Sequence, residues 1–406
     1  IPHLFRSEFS KIVSVLCKTF GLSNIQLAED IVSDTLLKAT ETWGLKGIPE
    51  NPIAWLYKVA KNLTLDYFKR EKISIEKITP EFKNQHSNIT EFEIDLSENN
   101  IEDSQLQMLF AVCNPAISKE AQITFALRVL CGFGIKEISN ALLTNKATIN
   151  KRLQRTKEVF RANETYLHFP TEKELTLRLN NLLSILYLLF NEGYYSSSSE
   201  RTIQKELCVE AMRLLYMLLN YKPTNQSKTN ALMALFCFQA SRFDARVDQK
   251  GASILYEKQD KNKWDFELIK KGEYYVNESA NDEVTKYHLE AFIAFWHTRT
   301  DANENEKWEN ILQFYNKLIQ IEYSPITALN RTYALAKANG KKEALKEALK
   351  IDLKDNHFYH TLIAEFYIGV NRTKQIEHLQ LALKLADTGN DKQIISEKLK
   401  IASSQK

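Results

Sequence analysis

Glycine and proline are scarce, at 11 and 8 in 406 residues. With so few helix breakers and apolar residues recurring at helical spacing nearly everywhere, the chain reads as all-α. Cysteine is sparse as well. Cys17, Cys113, Cys131, Cys208 and Cys237 are scattered, odd in number and without a CxxC pair. That argues against a disulfide framework or a zinc site and suits reduced, buried thiols in a cytosol. Long hydrophobic runs are missing: the longest, LLSILYLLF at 182–190, is about half of what a membrane span needs. No signal peptide is visible, and a start at Ile1 rather than Met points to a few missing or processed residues. A cytoplasmic protein without a membrane partner is expected. There is no P-loop, HExxH, GxSxG or spaced carboxylate pair, so no catalytic residue, metal or cofactor is expected and the chain reads as a non-enzyme. A strong global charge is lacking too. The formal net charge is +3, so any nucleic-acid signal must come from local clustering.

Such clustering is present. The chain exceeds the size at which a single core keeps growing, so about two to four domains are expected. Residues 1–72 carry three helical patterns, at 1–20, 25–43 and 51–71, with a loop at 44–52. Residues 73–103 then turn acidic: against Lys77 and Lys83 stand Glu76, Glu81, Glu91, Glu93, Asp95, Glu98, Glu102 and Asp103. This reads as a flexible linker, either a plain solvated tether or one with a specific role. Residues 104–165 reverse the sign, with Lys119, Arg128, Lys136, Lys146, Lys151, Arg152, Arg155, Lys157 and Arg161 facing Glu120, Glu137 and Glu158. From about residue 170 to the C-terminus the chain is a long helical array. Within it YALAKANGKKEALKEALKI (333–351) echoes FYIGVNRTKQIEHLQLALKLA (366–386), which suits a tetratricopeptide-like pair.

In the third helix, NPIAWLYKVAKNLTLDYFKRE, Leu56, Val59, Ala60, Leu63 and Tyr67 project to a buried side. Lys58, Lys61, Leu65 and Lys69 project outward, with Tyr57 and Phe68 on one shoulder and Trp55 towards the other. A cation stripe edged by aromatics is what single-stranded DNA requires: stacking surfaces plus phosphate neutralisation. Alternatively, Trp55 and Phe68 simply pack against the first two helices. In GFGIKEISNALLTNKATINKRLQRTKEVF (132–160) the layout is that of a helix-turn-helix. Ile135, Ile138, Ala141 and Leu142 line the first helix, and Thr144-Asn145-Lys146 form the turn. Thr148 opens the second helix, in which Ile149, Leu153, Thr156 and Phe160 share one face. Asn150, Lys151, Gln154 and Arg155 then point away with Arg152 on the flank, side chains suited to base edges and phosphates; an ordinary basic amphipathic helix is the alternative.

AEDIVSDTLLKATETW, then NPIAWLYKVAKNLTLDYFKRE, the acidic segment and ITFALRVLCGFGIKEISNALLTNKATINKRLQRTK together resemble a bacterial RNA polymerase sigma factor of the extracytoplasmic-function type, over about residues 1–163. The remainder, with LSILYLLFNEGYYSSS and ASRFDARVDQKGASILYEKQDKNKWDFELIKKGEYY, is similar to the subgroup bearing a tetratricopeptide-like C-terminal extension. The resemblance implies that core RNA polymerase, through its β′ clamp helices and β flap, and promoter DNA, duplex and single-stranded, are the partners. It assigns polymerase binding to Asp30, Asp34, Leu37 and Lys38. The melted minus-ten element falls to Lys46, Asn51, Trp55, Tyr57, Lys58, Lys61, Asn62, Lys69 and Arg70. The duplex minus-thirty-five element falls to Lys146, Thr148, Asn150, Lys151, Arg152, Gln154 and Arg155. The acidic linker would thread towards the polymerase active centre. Two positions depart from the family pattern: Ser33 stands where a glutamine is frequent, and Leu143 replaces the usual turn glycine.

The tail leaves several features open. Gly193 reads as a helix C-cap, or Glu192, Tyr194 and Tyr195 line a pocket. Arg242, Asp244, Arg246 and Asp248 form an ion-pair network or a docking surface. His357 and His360 share a helical face without the further ligands a metal would need. The array could also bind a protein partner. Besides the sigma reading, a polymerase-independent helix-turn-helix regulator and a helical scaffold remain open.

Overall fold

A computed structural model describes residues 2–78, 94–114, 116–142, 144–163, 167–194, 205–248, 254, 256–280, 283–386 and 388–404; at 2, 3, 71–78 and 390 it describes the backbone alone. No strand forms among them, and the chain is all-α as expected. Two compact units result, Ile1–Leu189 and Phe190–Lys406.

The first unit contains α1 (Pro2–Phe20), α2 (Ile25–Lys46), α3 (Pro52–Ile78), α4 (Glu98–Val112), α5 (Lys119–Val129), α6 (Ile135–Ala141), α7 (Lys146–Ala162) and most of α8 (Glu172–Tyr194). At its centre α1 buries Ile12, Val13, Val15 and Leu16 completely. α2 and α4 both pack on α1, and α5 touches it as well. In α4 every residue from Ser104 to Val112 is buried, the mark of an interior helix rather than an amphipathic surface one. Polar seams fix its register on α1: Gln105 Nε2 donates to Ser10 Oγ at 3.2 Å, and Lys18 Nζ donates to Asn100 Oδ1 at 2.7 Å. The segments read from sequence as separate modules therefore share one core. Both ends of the acidic segment are helical, since α3 runs to Ile78 and α4 opens at Glu98; residues 79–93 lie outside the described residues.

Local chemistry sets the helix ends. α2 runs three residues beyond Trp43, until Gly47 adopts φ 82° and returns its N–H to Trp43 O at 3.1 Å. A side chain there would be strained, so glycine ends the helix. Asn51 Oδ1 accepts from Ala54 N at 3.0 Å and opens α3, with Pro52 at the tolerated first position. Ser118 and Asn145 cap α5 and α7 through Ala121 N and Thr148 N.

The second unit holds the end of α8, then α9 (Lys205–Asn220), α10 (Ser227–Ala240), α11 (Phe243–Arg246), α12 (Phe266–Glu278), α13 (Lys286–Thr298) and α14 (Glu304–Ile321). It continues with α15 (Pro325–Asn339), α16 (Lys341–Ala348), α17 (His357–Tyr367), α18 (Arg372–Leu385) and α19 (Gly389–Ser404). α10 is buried all round from Thr229 to Phe238 and packs against α9, α12 and α13. After it, helices pair with their successors: α13 with α14, α14 with α15, α15 with α16, α17 with α18 and α18 with α19. The sequence echo falls on α15–α16 and α17–α18.

Gly193 departs from the sequence reading. It lies inside α8, which continues to Tyr194, and is not among the positive-φ glycines, so it caps nothing. Tyr195 lies outside the described residues.

Candidate nucleic-acid interface

On α2, Asp30, Asp34, Leu37 and Lys38 follow helical spacing and are all exposed, with Leu37 retaining 57% of its surface. Asp30 Oδ1 accepts from Gln26 Nε2 at 2.9 Å. Ile31, Val32, Thr35 and Ala39 turn inward, so the acidic face is a consequence of where the apolar residues sit.

On α3, Lys58, Lys61, Asn62, Lys69 and Arg70 are exposed, together with Lys46 on the last turn of α2 and Asn51 at the entrance to α3. The aromatics are partly withdrawn. Trp55 packs edge-on to Trp43 with centroids 5.5 Å apart, and Phe68 meets Phe20 at 5.8 Å. Tyr57 donates its hydroxyl to Glu8 Oε2 at 2.6 Å, while Lys11 holds the other oxygen at 2.7 Å. Burial first, then the bond to Glu8, pushes the Tyr57 phenol up, so it stays protonated. Tyr67, expected on the buried side, is 40% exposed and packs against Phe68 at 5.5 Å. One further feature was not anticipated. Leu45 (88% exposed) and Ile48 (56%) bracket Gly47 with their side chains in solvent, beside Lys46. Apolar residues flanking a glycine in a short connection were the available signal.

α7 presents the division the sequence predicts. Ile149, Leu153, Thr156 and Phe160 are buried, whereas Lys146, Asn150, Lys151, Gln154 and Arg155 are exposed and Thr148 and Arg152 lie between. Phe160 meets Phe125 of α5 at 5.2 Å, and Gln154 Nε2 donates to Glu158 Oε1 at 3.0 Å. α7 begins two residues before Thr148, at Lys146. α6 buries Ile138 and Ala141 and packs on α7; Leu143, the unusual turn residue, lies outside the described residues.

A buried carboxylate joins these surfaces from behind. Glu29 of α2 is 4% exposed; its Oε1 accepts from Arg128 Nε at 2.7 Å and its Oε2 from Lys157 Nζ of α7. Lys157 also donates to Gln26 Oε1 at 2.7 Å, and the Arg128 guanidinium lies 4.8 Å over Phe9. Two of the basic residues between 104 and 165 are thus structural, and the exposed cations of α7 are on its other side.

In the second unit, Asp244 pairs with Lys205, and Arg242 instead donates to Tyr194 Oη at 3.2 Å. His360 Nδ1 lies 2.9 Å from His378 Nδ1 and its Nε2 lies 2.8 Å from Lys354 O. No group of three or more metal-type side chains gathers among the described residues, and no helix there is long and apolar enough to cross a membrane.

Two family models match parts of the chain. Residues 4–73 match Sigma-70 region 2, and residues 178–280 match a family of unknown function (DUF6596). No solved structure matches the chain. Over 346 residues the chain is 30% identical to an uncharacterized protein of Rhizobium meliloti (strain 1021), covering 84% of this chain and 81% of that protein. The chain belongs to the same family as that protein, and the Sigma-70 region 2 match over its N-terminal helices supports a sigma factor that binds RNA polymerase.

Proposed function

We propose that the chain is an alternative sigma factor of the extracytoplasmic-function type, acting in the cytoplasm without catalysis of its own. The observation that carries this reading is the Sigma-70 region 2 match at 4–73, within which Asp30, Asp34, Leu37 and Lys38 form one exposed face of α2. That face docks on the β′ clamp helices. Lys58, Lys61, Asn62, Lys69 and Arg70 hold the phosphates of the melted minus-ten strand, with Lys46, Asn51, Trp55 and Tyr57 at its edge. α6 and α7 act as a helix-turn-helix on the minus-thirty-five duplex and approach the β flap. Within it, Asn150, Lys151, Gln154 and Arg155 face the groove, and Lys146, Thr148 and Arg152 face the phosphates. The tetratricopeptide-like C-terminal helices regulate this activity in cis or through a protein partner.

A second reading, a polymerase-independent duplex-binding regulator, draws on one observation: Trp55, Tyr57 and Phe68 make packing contacts that a pure core role would also require. Two variants separate the readings. Asp34→Lys weakens binding to core polymerase about tenfold or more, roughly 1.4 kcal/mol, and lowers transcription in step. Lys151→Ala/Arg155→Ala leaves core binding intact and reduces promoter-specific initiation, each lost base contact costing about 1–3 kcal/mol. Core binding insensitive to Asp34→Lys, with DNA binding unaffected by polymerase, would favour the second reading.

A further inference from the structure

In the second unit four side chains from separate elements gather around the ring of Tyr256. The Lys307 ammonium of α14 lies 5.0 Å from the ring centroid and the Arg242 guanidinium, at the entrance to α11, lies 5.5 Å from it. The His297 imidazole of α13 meets the ring edge-on at 4.9 Å, and the Trp264 indole lies 6.5 Å away. The phenol is already committed, donating to His297 O at 2.7 Å and accepting from Lys307 Nζ at 2.7 Å.

Arg242 Nε and Trp264 Nε1, both donors, and His297 Nδ1, a donor in one of its tautomers, are enclosed and have no hydrogen-bond partner; the amide oxygens of Gln239 and Gln259 are enclosed and without a donor as well. Trp264 is 4% exposed and the Lys307 side chain 2%, yet the nearest carboxylate to Lys307 is Glu304 at 3.7 Å, itself 73% in solvent. Arg242 makes no ion pair among the described residues; the acceptor it reaches is the Tyr194 hydroxyl. Asp244 is paired with Lys205 and Glu257 with Lys337, while Asp260 and Asp265 accept from backbone N–H groups at helix starts; none of them reaches Arg242. Burial, then Arg242 and Lys307, push the His297 imidazole well below its ordinary range, the direction expected of a ring facing net positive charge.

Enclosed charges without a closely paired carboxylate, and enclosed N–H groups without an acceptor, cost free energy, and folded proteins retain few of them without a reason. Phosphate and carboxylate oxygens supply what is missing: several acceptors and one or two negative charges in a small volume. Arg242 is only half-buried, which leaves an approach from solvent.

We propose that Arg242, Trp264, His297 and Lys307 form a binding site for a small oxyanion, the phosphate or carboxylate group of a metabolite-sized ligand. The aromatic walls provided by Tyr256 and Trp264 accommodate the remainder of such a ligand. Neither the fold of the first unit nor the sigma reading is needed for this inference.

The test uses the full chain. Melting temperature is followed against inorganic phosphate, sulfate and citrate, each matched in ionic strength by sodium chloride, for the wild type, Lys307→Met and Arg242→Gln. Lys307→Met keeps the apolar stem while removing the enclosed charge. The expected result is a saturable upward shift of several degrees in the wild type, absent from both variants, with Lys307→Met at least as stable as the wild type without added anion. A response to phosphate and sulfate alone identifies a phosphate-type ligand, and a response to citrate alone a carboxylate. Two results would overturn the proposal: no saturable shift with any of the three ions, or equal shifts in wild type and variants.

Discussion

Glu29 is buried on α2 and serves two cations at once, Arg128 through one oxygen and Lys157 through the other. Its position in the core is tolerable because both oxygens are paired. Glu29→Gln keeps the shape and removes the charge, leaving two cations facing an amide. Because the Arg128 and Lys157 side chains are 22% and 17% exposed, some water compensates them. The expected cost is therefore about 3 kcal/mol, the low end for breaking a buried pair. Native-state hydrogen exchange reads this as faster opening of α2 and α7 together, with the second unit unchanged. Periodicity could not reveal this role. Glu29 stands in the sequence beside Asp30, an acidic residue of the same type that is exposed, and its partners lie about a hundred residues away. The same holds for Arg242, Tyr256, Trp264, His297 and Lys307, which become neighbours only when separate segments of the chain converge.

At the scale of elements, the 3.6-residue repeat was a good guide wherever a helix has one apolar side. α7 shows the inward and outward residues expected of it, and α2 shows its acidic face, because burial of Ile149, Leu153 and Phe160, or of Ile31, Val32 and Ala39, decides the rest. It was a poorer guide at ends and crowded contacts. Tyr67 was expected inside, but Phe68, one residue on, takes the contact with Phe20. Gly193 looked like a terminator yet sits within α8. Gly272 gave no signal at all, although α12 lies so close to α10 there that an added Cβ would stand 2.5 Å from the Phe238 ring. Phe238 is fully buried and also meets Phe295 at 5.7 Å, so it has little room to yield. Gly272→Ala is expected to cost about 1–3 kcal/mol through overpacking, despite the better helix propensity of alanine. A thermal melt showing equal or higher stability would mean that α12 can move away.

For the molecule as a whole, the sequence suggested a tail beginning near residue 170, but the compact units divide at Leu189, inside α8. The physical reason is that the first part of α8 completes the first unit's core. Leu179, Leu182 and Leu186 are buried, and Asn181 Nδ2 donates to Cys113 O at 3.2 Å and to Gln122 Oε1 at 3.1 Å. Deleting 170–406 would strip these contacts, whereas deleting 195–406 would keep them. The shorter deletion should therefore give a distinctly higher melting temperature for the N-terminal helices, and it is the better form in which to ask whether the C-terminal helices regulate. Equal melting temperatures would show that α8 contributes little there.

The central claim is that this chain directs RNA polymerase to promoters. Run-off transcription with purified core polymerase on a promoter library, combined with permanganate probing of melted thymines, tests it most directly, using the full chain and the form ending at Tyr194. The account predicts initiation from a defined subset of promoters, with reactive thymines just upstream of each start site and loss of both signals in the Lys151→Ala/Arg155→Ala variant. Duplex binding without initiation or melting, in both forms of the protein, would contradict it.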